Sequence, residues 1–169
     1  MTRVRRPSRL PFIPPTMPRL VRLLPTALLL AAPLVSHAQA PDVEGVRRAA
    51  LDYLEGFYEG DSTKHIRSIH PSVFKHGYSR SRTGTYSPSN MKWPEEFHAF
   101  TRGVRTSGRG GPPPNAPKEV QVFEVLDQTA SAKVTAWWGI DYLLMAKVDG
   151  AWRITHILWQ SPPPKAESR

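Results

Sequence analysis

Chemistry in this chain must come from carboxylates, histidines, tyrosines and amines. Cysteine is absent, so no disulfide and no thiolate metal site can form. No G-x-S-x-G, phosphate-binding loop, dinucleotide fingerprint or H-E-x-x-H occurs. Two groupings remain. Asp141 and His156 lie on either side of the turn Asp149-Gly150, in the stretch WWGIDYLLMAKVDGAWRITHILWQ. With a two-residue turn, Leu143 falls opposite His156 and Asp141 opposite Leu158. Asp141 and His156 then share one face as diagonal neighbours, about 7–8 Å apart at the backbone. An Asp–His pair in an apolar setting is suited to general acid–base work, and a satisfied structural pair is the competing reading. The second grouping is His70, His76 and Tyr78 around a helix–strand joint, with His70 placed to point inward.

Metal binding is not expected. His65 and His70 are five apart, and His70 and His76 are six apart across a proline, unlike the i, i+4 spacing of helical zinc ligands. Tyr53 and Phe57, with Trp93 and Phe97 later in the chain, fall at helical spacing; they read as core, with some able to line a pocket and stack on a flat ligand. Arg102, Arg105 and Arg109 flank a glycine- and proline-rich loop and read as a solvated patch.

These residues need elements to position them. Asp42 is expected to cap a helix to Glu59, with Val43, Val46, Ala50, Tyr53, Leu54 and Phe57 on one face. A short helix from Asp61 or Ser62 ends at Pro71. Ser72–Tyr78 is a strand, with an edge strand near Tyr86. Pro94 opens a further helix that stops near Gly103, and residues 106–117 form a loop. From Glu119 onward the pattern alternates as strand. Asp149-Gly150 is a strong hairpin signal.

The hairpin's register defines two faces. One carries Asp141, Leu143, Met145, Lys147, Trp152, Ile154, His156 and Leu158. The other carries Ile140, Tyr142, Leu144, Ala146, Val148, Arg153, Thr155, Ile157 and Trp159. Both are largely apolar, which is unlike a sheet with one wet face. Helices and a pocket are expected on the first face, and a second copy of the chain on the other. Helices first and then a sheet defines an α+β domain.

The first forty residues hold six arginines and no acid, then the apolar run Leu23–Val35 and small residues at Ser36, Ala38 and Ala40. That is the pattern of a secretory signal peptide, cleaved after Ala38 or Ala40, and Met17 alone begins a complete one. The chain has 23 basic and 14 acidic residues. Setting aside the leader's six arginines leaves 17 against 14, a net of +3. The high overall pI is thus mostly the leader's, and nucleic acid is not an expected partner. The expected layout is leader 1–40, domain 41–160 and a disordered tail 161–169.

Over Val43–Gln160 the sequence resembles the NTF2-like superfamily, and more narrowly the group named "putative lumazine-binding", close to the SnoaL-like proteins. The resemblance is carried by YLEGFYEGD, by His70-Pro71, and above all by DYLLMAKVDGAWRI. It implies a curved, mainly antiparallel sheet wrapped around helices into a cone, a pocket at the open end, and a homodimer through the outer sheet face. The superfamily holds isomerases, cyclases, dehydratases and non-catalytic binders, so fold does not select a function. The expectation is an exported (periplasmic or secreted) protein, free of the membrane after cleavage, that holds a small molecule in the cone without catalysis or cofactor. Its expected pocket residues are Tyr53, Phe57, His70, His76, Tyr78, Asp141 and His156. One alternative is an isomerase- or hydrolase-type enzyme using Asp141 with His156 or His70. The other is a structural dimerisation or accessory domain.

Overall fold

A computed structural model describes residues 40–163. The leader and the end of the tail lie outside the described residues. Among those described, no helix is long and apolar enough to cross a membrane. The elements are α1 (Ala40–Glu59), α2 (Ser62–Ser68), β1 (Ile69–Arg80), β2 (Tyr86–Asn90), α3 (Glu95–Ser107), β3 (Glu119–Val125), β4 (Thr129–Ala136), β5 (Gly139–Val148) and β6 (Ala151–Gln160). They form one six-stranded sheet in the order β2-β1-β6-β5-β4-β3. Every pairing is antiparallel except β1 with β6, which is parallel. The sheet is mixed and does not close on itself, and its helices cover one face. This is an α+β fold, as the order of the sequence patterns implies.

Helix α1 supplies the centre of the core. Val46, Ala50, Tyr53 and Leu54 have no exposed surface, and Phe57 has almost none. They pack on Val134, Leu143, Ile154 and Ile157 from the sheet and Phe97 from α3. Asp42 does not cap this helix, which begins two residues earlier. Its carboxylate instead accepts hydrogen bonds from Lys147 Nζ at 2.5 Å and Trp152 Nε1 at 3.1 Å, tying the helix start to the hairpin's tip. Asp61 caps α2 by accepting from the Thr63 amide at 2.9 Å. His70-Pro71 is part of β1 rather than of α2, because the chain turns extended directly after Ser68. The later helix runs past Gly103 to Gly108, whose left-handed φ of 65° ends it with a backbone bond to Val104. Asp149 and Gly150 both have positive φ, as a two-residue hairpin turn between twisted strands requires.

One difference from the expected register changes the most. Lys147 does pair with Trp152, and Met145 with Ile154. Past that point β6 carries one extra residue, Thr155. Leu144 then faces His156, Leu143 faces Ile157 and Asp141 faces Trp159. Thr155 Oγ1 donates to Leu144 O at 3.1 Å across the bulge. Because strand side chains alternate, one inserted residue turns everything beyond it to the opposite face. His156 and Leu158 therefore point away from the helices, while Ile157 and Trp159 point toward them. The Trp137-Trp138 pair is also not strand. It forms the β4–β5 turn, closed by pairing of Ala136 with Gly139.

Candidate functional site

The site is built from three elements that converge under α1. Tyr53 and Phe57 project from one face of α1, one helical turn apart. Lys75 projects inward from β1, flanked by the outward-pointing Phe74 and His76. Asp141 lies near the start of β5, just after the Trp137-Trp138 turn.

A hydrogen-bonded chain joins them. Lys75 Nζ donates to Tyr53 Oη at 2.6 Å, and Tyr53 Oη donates to Asp141 Oδ2 at 2.5 Å. Trp138 Nε1 donates to Asp141 Oδ1 at 3.0 Å. Asp141 has no exposed surface, and the Lys75 side chain retains 7%. Their charges stand 3.9 Å apart with the phenol spanning them. A buried carboxylate is stable only when its lone pairs are satisfied and a countercharge is near, and both conditions are met here.

Lys75 sits in an aromatic enclosure. Its Nζ lies 5.1–5.9 Å from the ring centroids of Phe57, Tyr53, Phe97, Trp159 and Trp138. Loss of hydration on burial pulls the amine's pKa below its ordinary value, and Asp141's charge only partly opposes this. Burial, together with Asp141's charge and its hydrogen bond, lifts the Tyr53 phenol well above its usual range. Tyr53 is therefore a proton-bearing bridge rather than a phenolate.

Above the amine opens a cavity of about 320 Å³. Phe57, Phe100, Met91, Trp137, Trp138 and Trp159 wall it, and Lys75, Ser89, Asn90 and Gly110 complete it. Gly77 makes room for one wall. A Cβ there would stand 2.1 Å from Trp159 O and 2.3 Å from Trp159 Cδ1, closer than atoms can approach. With no side chain at 77, Trp159 lies against β1, and its Nε1 donates to Ser89 O at 3.0 Å. Gly56 does the same behind the site, where a Cβ would stand 2.3 Å from the His65 ring. His65 has no exposed surface, and its Nε2–H donates to Tyr53 O at 3.0 Å. Burial pulls its pKa down to about 4.

Tyr53, Phe57 and Asp141 stand together at the site. His156 does not join Asp141. The Thr155 bulge puts it on the outer face, opposite Phe74 and Leu144, so the Asp141/His156 dyad does not form. His76 and Tyr78 also lie on the outer face, with His76 Nδ1 donating to Asn90 Oδ1 at 2.6 Å. His70 bonds to Ser72 at the start of β1 and is not among the cavity's lining residues. Sequence reasoning missed Lys75, Phe100, Trp137, Trp138 and Trp159. A signal for Lys75 existed: in VFKHGY, period-two alternation groups it with Val73 and Gly77, against Phe74, His76 and Tyr78. Among the described residues no cluster of three or more His, Asp or Glu is arranged to hold a metal.

A three-helix layer on a six-stranded open sheet, with a cavity between the helices and the sheet, is the NTF2-like fold. Solved structures agree. An NTF2-like protein of unknown function from Silicibacter pomeroyi DSS-3 superimposes with a TM-score of 0.56 at 15% identity, covering 73% of this chain and 98% of that one. Another from Shewanella baltica OS155 gives 0.54 at 14%, covering 75% and 98%. A third from Methylobacillus flagellatus KT gives 0.53 at 17%, covering 74% and 95%. At such identities the likeness is one of fold. The family model described as "Putative lumazine-binding" matches residues 41–160, and the chain belongs to that family. No curated protein matches it.

Proposed function

We propose that this chain is an exported protein that holds a small, flat, largely apolar molecule in the cavity beneath α1, and does so without turning it over. The observation that carries this reading is the cavity's composition. Three tryptophans and two phenylalanines wall it, and a buried amine is its one charged group, with Ser89 and Asn90 the other polar side chains. Ligand pockets of a few hundred Å³ share this plan, with apolar walls for affinity and a few placed polar groups for orientation. Aromatic walls favour a planar ring system through offset or edge contacts. Lumazine, the bicyclic heterocycle in the family's name, is the first compound to test. Because Trp137, Trp138 and Trp159 all line the cavity, binding should quench tryptophan fluorescence, and Trp159→Phe should weaken both the quenching and the affinity. Absence of quenching by lumazine and by a series of flat bicyclic aromatics would sink the reading. Export is supported by the leader's composition, and N-terminal sequencing of the protein recovered outside the host's cytoplasm tests it.

The reading includes a homodimer. Phe74, Tyr142, Leu144 and Leu158 cluster on the outer sheet face with half or more of their surface exposed. Cross-strand pairing of Leu144 with His156 and of Tyr142 with Leu158 makes the patch contiguous. A contiguous apolar patch of this kind is what an interface covers. Light scattering should report a dimer that Leu144→Lys dissociates; a wild-type monomer at high concentration would count against it.

A further inference from the structure

We propose that Lys75 captures a carbonyl compound covalently, as an imine, at the floor of the cavity. This inference rests on the reading of the cavity as a small-molecule site and names the ligand's reactive group.

Three observations carry it. First, Lys75 makes no direct hydrogen bond to a carboxylate; among the described residues its one hydrogen bond is to the Tyr53 hydroxyl. Most buried lysines are anchored by direct contact with an acid, whereas here Asp141 is held back at 3.9 Å and is itself occupied by Tyr53 and Trp138. The rest of the amine's bonding capacity has no partner among the described residues. Second, Lys75 is one of the residues lining the cavity, so that capacity is presented to a ligand. Third, its surroundings are aromatic rings rather than water, and a lysine desolvated in an apolar pocket is the standard activated amine nucleophile. The downward pull of burial on its proton affinity agrees with this.

The step balances within the site. The lone pair of the neutral Lys75 amine forms a C–N bond to the carbonyl carbon, and the C=O π pair moves to oxygen. One amine proton passes to that oxygen, giving a neutral carbinolamine. The oxygen then leaves as water, taking the second amine proton, and the nitrogen lone pair closes the C=N bond. Amine and carbonyl become imine and water, with no oxidant, reductant or metal. Tyr53, bonded to Nζ and backed by Asp141, is placed to relay a proton between nitrogen and the departing oxygen. The ligand class is a flat aromatic or conjugated aldehyde or ketone, its rings against Trp138 and Trp159.

The test is reductive trapping. Purified protein is incubated with 2-naphthaldehyde and cyanoborohydride, which converts an imine to a stable secondary amine, and then analysed by intact mass and peptide mapping. The expected result is one adduct per chain at Lys75, with Lys64, Lys92, Lys118, Lys133 and Lys147 unlabelled at the same dose. Lys75→Met should abolish the adduct, and on the wild-type protein 2-methylnaphthalene, which has no carbonyl, should quench tryptophan fluorescence without leaving one. If that variant does not fold, the position of the wild-type adduct decides. Quenching by both compounds with no adduct at Lys75 would overturn covalent capture and leave the binding reading standing. Failure of both compounds to bind would overturn the two together.

Discussion

The two faces of this sheet are built from the same strands and carry a similar share of apolar residues, yet they solve opposite problems. On the inner face, Asp141 and Lys75 are buried and Trp159 is half-buried, and both carboxylate oxygens of Asp141 are matched to a donor. On the outer face Tyr142, Leu144 and Leu158 stand 50–55% exposed, and His156 is exposed beside them. Adjacent residues in one strand, Asp141 and Tyr142, thus invert the usual rule, with the acid inside and the aromatic outside. Hydropathy alone does not sort side chains here. A buried ion pair bridged by a phenol organises the inner face, and the outer face leaves its apolar side chains exposed.

That contrast can be broken from the inside. Asp141→Ala leaves Tyr53 Oη and Trp138 Nε1 without their acceptor and Lys75 without its countercharge in the core, and removing one partner of a buried pair costs about 3–5 kcal/mol. Urea denaturation should show that loss.

Acid should reach the same face through His65. Its folded pKa, about 4, lies below the ordinary 6.5, so the unfolded chain binds the extra proton more readily. Stability should be level above the unfolded value, fall as the pH drops through the window between the two, and level off below the folded one. The span corresponds to roughly 3 kcal/mol. Melting temperatures across that window measure it, and His65→Leu should flatten the decline. An unchanged slope in that variant would show that other groups set the acid sensitivity.

The next effect is expected at the wall of the cavity. Gly77→Ala forces a methyl against the Trp159 ring and to 2.1 Å from its backbone carbonyl oxygen in the paired strand, so the cost should reach at least the upper end of the about 1–3 kcal/mol usual for overpacking. It should weaken ligand-induced quenching and lower stability together, since the cavity wall and the β1–β6 pairing must both shift. On the outer face, Tyr142→Ser should change monomer stability by about 0.5 kcal/mol or less, the usual range for surface substitutions. A large loss there, measured below the dissociation concentration of the proposed dimer, would mean that the outer residues carry folding energy and would erase the distinction between the faces.

Much of the fold was legible in the chain. The three-four spacing of Val46, Ala50, Tyr53, Leu54 and Phe57 marks α1 and its buried face, Asp149-Gly150 marks the hairpin, and the alternation of Ala132, Val134 and Ala136 marks the inner side of β4. Less of the site was. Phe57 is in the cavity's wall, and Tyr53 and Asp141 lie buried behind Lys75, but His70, His76, Tyr78 and His156 are elsewhere. The histidines misled because residue type suggests chemistry while position decides whether it is available. His156 is displaced by one bulged residue, and neither a proline nor a glycine marks Thr155 as that residue. The tryptophans at 137 and 138 read as strand because aromatic residues favour strands. They serve as a turn because Gly139, with φ at 142°, passes so close to Gln160 that a Cβ would stand 1.9 Å from its carbonyl oxygen.

Local order is what the sequence by itself determined: which stretches are helix or strand, where the tight turns fall, and that helices precede a sheet. These follow from period, capping and backbone freedom, which act over a few residues. The tertiary structure alone decided which face of β6 looks inward and which groups meet under α1. Tyr53 and Asp141 are 88 positions apart, and Tyr53 and Lys75 are 22 apart. Their union depends on the parallel β1–β6 pairing and on the bulge in β6. Charge pairing and desolvation act through space, so the lysine read as an ordinary strand residue becomes the polar centre of the protein only when the strands are assembled.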